Sequence, residues 1–310
     1  MSENRLTTDG RAILLEELIR HGHLIPSGEP GLYGRGTVCE TIYSRVDALL
    51  TRFTAEEKPE ILRFPPMVPQ RLLDDVGYTQ SFPHLCGVIM RIKVDETVRL
   101  EPTLGDAGAF VFEHTRLALL PPACYPAYPA IAQRGTLPSN GAILDLGATC
   151  VYRNEPSDDP VRLQVFHQRE LVRIGDATQV LAWREQWMGR AATIYDQLQL
   201  QATFVVATDP FFGRGGRLLA RSQRDAKMKY EAMVLVSGES ETAISSFNYH
   251  RDQLGNIFGL TSEGGGVAHT GCVGFGLERI TIALFDRHGF DLRDWPLGVR
   301  RTLGLEGVNA

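Results

Sequence analysis

The stretch "VYRNEPSDDPVRLQVFHQRE", Val151–Glu170, decides the fold. Two short runs in which apolar and polar residues alternate flank the insert Pro156–Pro160, whose Pro, Ser and Asp residues favour a turn. The stretch therefore predicts a β-hairpin. Residues two apart in a strand share a face, so the spacing places a set of charged and aromatic side chains on one side. They are Arg153 and Glu155 of the first strand and Arg162, Phe166 and Glu170 of the second.

These side chains suit a planar base that carries phosphates. An aromatic ring can stack on the base, a carboxylate can accept from its exocyclic amine, and guanidinium groups can bind phosphate oxygens in pairs. A hairpin in solvent, with an incidental core Phe, gives the same spacing. The hairpin alone leaves both interpretations open.

A second segment, "GCVGFGLERI" (Gly271–Ile280), favours the ligand-binding interpretation. It predicts a glycine-rich strand that passes into a helix and delivers Glu278 and Arg279 at the helix start. Glycines at such a junction allow a ligand to approach the backbone closely; here they are Gly271, Gly274 and Gly276. The spacing does not match the GxGxxG dinucleotide fingerprint, and the chain has no Gly-Lys pair, which excludes a P-loop.

Composition narrows the class of protein. The chain has 310 residues, a formal net charge of -5 and a pI of about 5.9, which argues against a nucleic-acid-wrapping surface. Its 5 cysteines are scattered without CxxC spacing, which argues against a disulfide framework. Without a long apolar run or an apolar N-terminal signal, we expect a soluble, cytoplasmic protein that does not enter a membrane.

The remaining segments predict an α+β fold, an antiparallel β-sheet flanked by helices. Strands come in adjacent runs and outnumber the crossover helices. No linker-like composition divides the chain, so we expect one catalytic domain, residues 1–310, with a helical N-terminal portion of about 60 residues. Trp183 and Trp187 lie on a long predicted helix and are expected in the core or in a dimer contact.

The hairpin and the glycine-rich segment resemble motifs of the class II aminoacyl-tRNA synthetases. "YRNE" followed by "RLQVF" resembles motif 2, and "GFGLER" resembles motif 3. The region "RFPPMVPQRLLDDVGYTQSFPHL" is similar to the weaker motif 1 of seryl-type enzymes, and "ISSFNYHRDQLG" to their I-S-S segment. The resemblance spans about residues 64–285 and implies the class II catalytic fold.

The resemblance also implies roles for the motif residues. Arg153 would hold the α-phosphate and the substrate carboxylate, and Glu155 would orient the adenine and the amino acid. Arg162 would reach the γ-phosphate, while Phe166 and Arg279 would cover the two faces of adenine. Arg153, Glu155 and Arg279 are the predicted catalytic residues, since attack on the α-phosphorus needs positioning and charge stabilisation.

Mg²⁺ is expected on the phosphates of ATP. Seryl-type enzymes tend to have Glu where Ala243 precedes Ile244–Ser246 in this chain, so Glu241 is taken as a weak substitute. Gly276 completes the predicted ATP site.

Three separated residues suit a zinc ion. Cys124 precedes motif 2, Glu170 closes its second strand, and Cys272 precedes motif 3. Two thiolates and a carboxylate with an open fourth position would bind a catalytic Zn²⁺, but the spacing alone is not a zinc signature and favours buried thiols and a surface Glu. The methanogen-type seryl-tRNA synthetases bind zinc through Cys, Glu and Cys at these places, so the resemblance implies one Zn²⁺ per subunit. Cys39, Cys86 and Cys150 are expected to be core thiols.

The chain is similar to the amino acid:[carrier protein] ligases, which resemble the catalytic core of these synthetases. About 60 residues precede motif 1 and about 25 follow motif 3, so we expect no tRNA-binding or anticodon domain and no tRNA substrate. The family implies ATP-dependent activation of a small amino acid, glycine or alanine, and transfer to the phosphopantetheine thiol of an acyl carrier protein. A minimal seryl-type synthetase and a non-catalytic paralogue remain alternatives, and class II cores imply a homodimer.

A basic stripe fits an acidic carrier protein. In "GRGGRLLARSQRDAKMK" the basic residues recur at three- and four-residue steps, close to one helical face. They are Arg214, Arg217, Arg221, Arg224 and Lys227, of which Arg217 and Arg221 are the docking candidates. A solvated helix face would have the same pattern.

Overall fold

The computed structural model describes residues 10–93, 111–238 and 240–307, except the side chain of Arg214. The described helices are α1 (Gly10–Arg20), α2 (Thr37–Thr54), α3 (Gln70–Asp75), α4 (Tyr78–Ser81), α5 (Ala127–Ala132), α6 (Ala177–Gln197), α7 (Gly213–Asp225), α8 (Gln253–Phe258), α9 (Leu277–His288) and α10 (Leu297–Thr302). The described strands are β1 (Leu24–Pro26), β2 (Tyr33–Arg35), β3 (Glu60–Ile61), β4 (Met67–Pro69), β5 (Val88–Lys93), β6 (Val111–Leu119), β7 (Ala142–Tyr152), β8 (Val165–Gly175), β9 (Thr203–Val206), β10 (Lys229–Val236), β11 (Ser240–Arg251) and β12 (His269–Gly276).

One seven-stranded sheet organises these elements. Its order is β3-β7-β8-β12-β11-β10-β9, and every neighbouring pair is antiparallel except β3 with β7. A three-stranded sheet, β4-β6-β5, and the β1-β2 hairpin are separate. The predicted antiparallel sheet flanked by helices is confirmed.

Alternate residues of the central strands pack into two hydrophobic cores, one on each face of the sheet. Leu171 and Phe275 join the core under α2, α6 and α9, whereas Val172 belongs to the second core. The second core also contains residues of α5, α8 and the three-stranded sheet. Because a strand alternates its side chains, Glu170 and Cys272 lie on the face of this second core.

The predicted hairpin forms, but its strands are shorter than the sequence suggested. β7 ends at Tyr152, and the Glu155 N–H donates to the Arg153 carbonyl at 2.8 Å, so a tight turn takes the chain out of the sheet. Arg162 also precedes its strand, since its N–H donates to the Asp159 carbonyl within the Pro-bounded turn. The prediction that Arg153, Glu155 and Arg162 share strand faces is therefore wrong.

A bulge in β7 is fixed by buried charges. The register shifts between Asp145 and Ala148, and Gly147 has φ +65°, a conformation that L side chains rarely adopt. Asp145 accepts from the Gly147 N–H at 2.7 Å and from the Arg169 guanidinium at 2.5 Å, and both charged residues are 3% exposed. Removing one partner of such a buried pair typically costs about 3–5 kcal/mol.

Helix α6 anchors the face opposite Glu170. Asp176 and Gln179 form a capping box at its start. Trp183 and Trp187 are buried, and their indole N–H groups both donate to Glu57, at 3.1 and 3.2 Å. These tryptophans are core residues.

The minor expectations have mixed outcomes. Cys39 is buried, as expected, but Cys86 and Cys150 are only partly buried. Within the described ranges, the structure contains no helix that is both long enough and apolar enough to span a membrane.

Candidate active site

A cavity of about 230 Å³ opens on the sheet face that carries Glu170. The first half of β8, the second half of β11, the middle of β12 and the start of β10 contribute to it, together with Arg153, which follows the end of β7. Its polar lining includes Cys124, Arg153, Gln168, Glu170, Asp209, Lys229, Ser246, Asn248, His250 and Cys272.

The three predicted zinc ligands come together at the floor of this cavity. One ligand atom each from Cys124, Glu170 and Cys272 lies within 4.8 Å of the others. The loop after β6 contributes Cys124, and the neighbouring strands β8 and β12 contribute the other two. All three are buried, at 3%, 2% and 3% exposure.

The chemistry of this cluster fits a metal ion. Donor atoms around a tetrahedral Zn²⁺ are about 3.5–3.8 Å apart, which is compatible with ligand atoms that all lie within 4.8 Å of one another. Glu170 Oε2 is buried and has no hydrogen-bond partner in the part of the chain that the structure describes. Burial raises the pKa of Glu170 to about 7. A cation would relieve this burial cost, because it would stabilise the carboxylate and the thiolates.

Two polar residues around Cys272 were not predicted. Asn248 Nδ2 donates to Cys272 Sγ at 3.4 Å, and His250 Nε2 lies 3.6 Å from the same sulfur. His250 Nδ1 lies 3.0 Å from the Thr270 hydroxyl oxygen. Such partners orient metal ligands. The period of two in Ser246, Asn248 and His250 could have indicated them, since all three point from one face of β11.

Arg153 lies at the rim of the same cavity with a guanidinium group that is available to a ligand. Its Nε is buried and has no hydrogen-bond partner among the described residues. Its Cζ lies 5.8 Å from the centroid of the Phe166 ring. Arginine pairs well with phosphate oxygens, so this position suits a nucleotide phosphate beside an aromatic ring.

Arg279 is held in place by two backbone carbonyls. Its Nε donates to Val161 at 2.8 Å and its Nη1 to Ala243 at 2.9 Å. Burial, and then the nearby charges of Arg153 and Arg162, lower the pKa of Arg279 to about 10. The three arginines therefore form one positive region, in which Arg279 stays charged at neutral pH.

The other predicted ATP residues are more peripheral. Glu155 and Arg162 form a 3.7 Å ion pair in which their side chains are 43% and 56% exposed. Phe166 is half-buried against the second core, Glu241 is exposed, and Gly276 is the residue before α9. The binding of adenine between Phe166 and Arg279 stays a prediction.

A charged network that was not predicted from the sequence forms one wall of the cavity. Lys229 Nζ lies 2.5 Å from Asp209 and 3.1 Å from Glu231. Gln223 of α7 donates to Asp209 Oδ2 at 2.7 Å and accepts from the Asp209 N–H at 2.8 Å. Helix α7 is thus fixed directly to the cavity wall, and only the folded chain brings these four residues together.

Glu278 supports the site from the opposite side of the sheet. Its carboxylate accepts from the His167 N–H at 2.8 Å, and Arg35 Nη1 donates to it at 2.7 Å. His167 follows Phe166, and Glu278 precedes Arg279. The network therefore joins β2, β8 and α9 at the two residues predicted to hold adenine.

Comparison with solved structures gives the class of the fold. The crystal structure of Methanopyrus kandleri SerRS in complex with A. aeolicus tRNASec matches with a TM-score of 0.80, covering 95% of this chain and 60% of that chain, at 21% identity. Cryptosporidium parvum prolyl-tRNA synthetase matches with a TM-score of 0.67, covering 89% of this chain and 52% of that chain, at 15% identity. The fold is that of a class II aminoacyl-tRNA synthetase catalytic domain.

Sequence comparison gives the family. Amino acid--[acyl-carrier-protein] ligase 2 of Bradyrhizobium diazoefficiens is 42% identical over 283 residues, 90% of this chain and 84% of the relative. The type-2 serine--tRNA ligase of Methanopyrus kandleri is 30% identical over 146 residues, 44% of this chain and 27% of the relative. A scan against protein-family models gives no match. The chain belongs to the amino acid--[acyl-carrier-protein] ligase family, and the predicted family is confirmed.

The grouping of Cys124, Glu170 and Cys272 yields a direct prediction. Cys272→Ala removes one of the two thiolates, so we expect zinc content to fall from about one to below 0.1 per chain. We expect amino-acid-dependent ATP–pyrophosphate exchange to fall at least 100-fold. Elemental analysis and the exchange assay, run on the same preparation, measure the two effects.

The matched control is Cys39→Ala, a buried thiol outside the cluster, which should keep both zinc and exchange. Zinc lost from the Cys272 variant with exchange intact would contradict a zinc that binds substrate.

Proposed function

We propose that this protein activates a small α-amino acid with ATP and transfers the aminoacyl group to the phosphopantetheine thiol of an acyl carrier protein. Membership of the ligase family supports this proposal, since the relatives' names state an amino acid and an acyl carrier protein. One observation of the structure carries it. Arg153 and the cluster of Cys124, Glu170 and Cys272 line one cavity, so a phosphate and an amino group can bind side by side.

The first step needs positioned charge and no covalent nucleophile from the protein. The amino acid carboxylate oxygen attacks the α-phosphorus, the bond to the β-phosphate bridging oxygen breaks, and pyrophosphate leaves with the electron pair. Arg153 is placed to bind the α-phosphate and the attacking carboxylate, which brings two anions together and stabilises the charge that develops. A zinc ion held by Cys124, Glu170 and Cys272 would supply a Lewis acid for the substrate amino group.

The second step is thioester formation. The carrier's thiol sulfur attacks the carbonyl carbon of the adenylate, the carbonyl–phosphate oxygen bond breaks, AMP leaves, and the thiol proton passes to solvent. Helix α7 suits the docking of the carrier. Gln223 faces the cavity, whereas the outer face carries exposed Arg217, Arg221 and Arg224.

Exposed apolar side chains on α7 and just before it also support the docking of a carrier protein. Leu218 and Leu219 are 73% and 49% exposed, and Phe212 before the helix is 59% exposed. A cluster of exposed apolar residues beside arginines is typical of a protein interface. An acidic carrier protein would satisfy both the charges and the apolar surface. tRNA is not expected as an acceptor.

The small cavity supports glycine or alanine as the substrate. About 230 Å³ must hold the amino acid and the reacting end of ATP, and the zinc cluster occupies its floor. ATP–pyrophosphate exchange across the twenty amino acids tests the activity. We expect the highest kcat/KM for glycine or alanine, with Mg²⁺ required. Absence of exchange with every amino acid would contradict the proposal.

Charge reversal on α7 tests the docking surface. We expect Arg217→Glu with Arg221→Glu to leave pyrophosphate exchange within twofold of the wild type and to slow aminoacyl transfer at least tenfold, because electrostatic steering reverses sign. Transfer of radiolabelled amino acid to a phosphopantetheinylated carrier protein measures the effect at low and high salt.

Arg293→Glu with Arg301→Glu, two exposed arginines outside α7, is the matched control and should transfer normally. Equal loss of exchange and transfer in the α7 variant would reject a docking role.

We also propose that the protein is a homodimer in the cytoplasm. Strand β3 is at the edge of the large sheet, it is only two residues long, and its Ile61 is 65% exposed. An open sheet edge with an exposed apolar residue favours pairing with a second chain. Light scattering after size-exclusion chromatography should give twice the 34.4 kDa chain mass, and a monomer at micromolar concentration would contradict the dimer.

A further inference from the structure

The ATP site has a positive phosphate region but lacks the carboxylate expected beside Ser246. Burial has the larger effect in lowering the pKa of Arg279, and Arg153 and Arg162 lie close enough for their charges to lower it further. ATP reacts as its Mg²⁺ complex, and Mg²⁺ requires hard oxygen ligands. At the position where seryl-type enzymes have Glu, this chain has Ala243, which offers no side-chain oxygen.

The register of two strands identifies a replacement. Glu231 of β10 pairs directly with Ser246 of β11. Directly opposed residues have Cβ atoms about 4.5–5.5 Å apart, so a carboxylate and a hydroxyl can reach one ion. Glu231 also lies on the cavity face of the sheet, because Lys229, two residues earlier, lines the cavity.

Glu241 lies too far along the strands to act with Ser246. It pairs with Leu235, four residues beyond Glu231 on β10, which corresponds to about 13 Å at the rise of a strand. Glu231, in contrast, is near Arg279, whose charge it stabilises. Of these two carboxylates, Glu231 is therefore the one that lies opposite Ser246 and acts on Arg279.

The ion pair with Lys229 does not fully occupy the carboxylate of Glu231. Lys229 is already neutralised by Asp209 at 2.5 Å, a shorter contact than its 3.1 Å distance to Glu231. Two carboxylates thus contact one ammonium group, and Glu231 makes the longer of the two contacts. Its carboxylate can therefore turn to a divalent cation brought by ATP while Lys229 stays paired with Asp209.

On the basis of the function proposed above, we propose that Glu231 is the carboxylate ligand of the Mg²⁺ bound to ATP, with the Ser246 hydroxyl as the opposing ligand. The proposed carboxylate ligand therefore lies on β10, the strand paired with β11, and not at the Ala243 position of β11. Lys229 keeps its bond to Asp209 when Glu231 turns to the ion.

Mn²⁺ binding tests this assignment without turnover. The wild type is saturated with α,β-methylene-ATP, which cannot release pyrophosphate, and free Mn²⁺ is followed by electron paramagnetic resonance. We expect Glu231→Gln to raise the Kd for Mn²⁺ in the ternary complex at least tenfold. Glu231→Asp should raise this Kd less than Glu231→Gln does, and Ser246→Ala should raise it severalfold. Affinity for the analogue without metal, measured in EDTA, should change less than twofold. A variant with a damaged fold would lose affinity for the analogue as well.

Glu263→Gln, the same change at an exposed turn, is the control and should bind Mn²⁺ as the wild type does. Normal Mn²⁺ affinity in Glu231→Gln would overturn the assignment, and a loss confined to Glu241→Gln would assign the ligand to Glu241. If Glu231→Gln fails to fold, normal Mn²⁺ affinity in both Glu231→Asp and Ser246→Ala would overturn it. A wild type that binds neither analogue nor Mn²⁺ would remove the proposed function itself.

Discussion

The pairing of β7 with β8 is the constraint on which the rest of the site depends. Phe166 and Glu170 lie on one face of β8, four residues apart, and Arg153 follows the end of β7. The same hairpin therefore supplies the aromatic ring, the guanidinium proposed to bind phosphate and one of the three proposed metal ligands. β12 pairs with β8 on its other side and adds Cys272 to the same face. Any slip of one residue in this register would turn Glu170 away from the cavity.

The burial of ionisable groups indicates which ligands this cavity suits. Two thiols and a carboxyl group in an apolar core cost folding free energy unless a cation or a hydrogen bond compensates them. The burial of Glu170 raises its pKa to about 7, and no described residue bonds its Oε2. On the other side of the cavity, Arg153 has a comparable unsatisfied nitrogen. One cavity thus contains a buried carboxyl group that a cation would stabilise and a buried guanidinium nitrogen that an anion would satisfy. The proposed reaction, which joins an amino acid to a nucleotide, needs both kinds of group.

Sequence patterns predicted the features that depend on local order. The hairpin, the strand-to-helix junction at Gly276 and the amphipathic α7 follow from alternation, glycine spacing and helical periodicity. The grouping of Cys124, Glu170 and Cys272 came from resemblance, because ligands separated by about 50 and 100 residues leave no local spacing signal.

Features that depend on long-range register were missed or misplaced. The turn at Glu155 follows from a backbone hydrogen bond, and the network of Asp209, Gln223 and Lys229 requires β9, α7 and β10 to be packed together. Glu231 could not be matched to Ser246 before the β10–β11 register, with its shift at Ala232, was known.

A crystal structure of the zinc-loaded protein with a non-hydrolysable glycyl-adenylate analogue tests the central claim most directly. We predict zinc on Cys124, Glu170 and Cys272, the analogue's amino group on the zinc, and its phosphate-mimicking group at Arg153. An analogue bound outside this cavity, or bound inside it with the amino group away from the metal, would contradict the account.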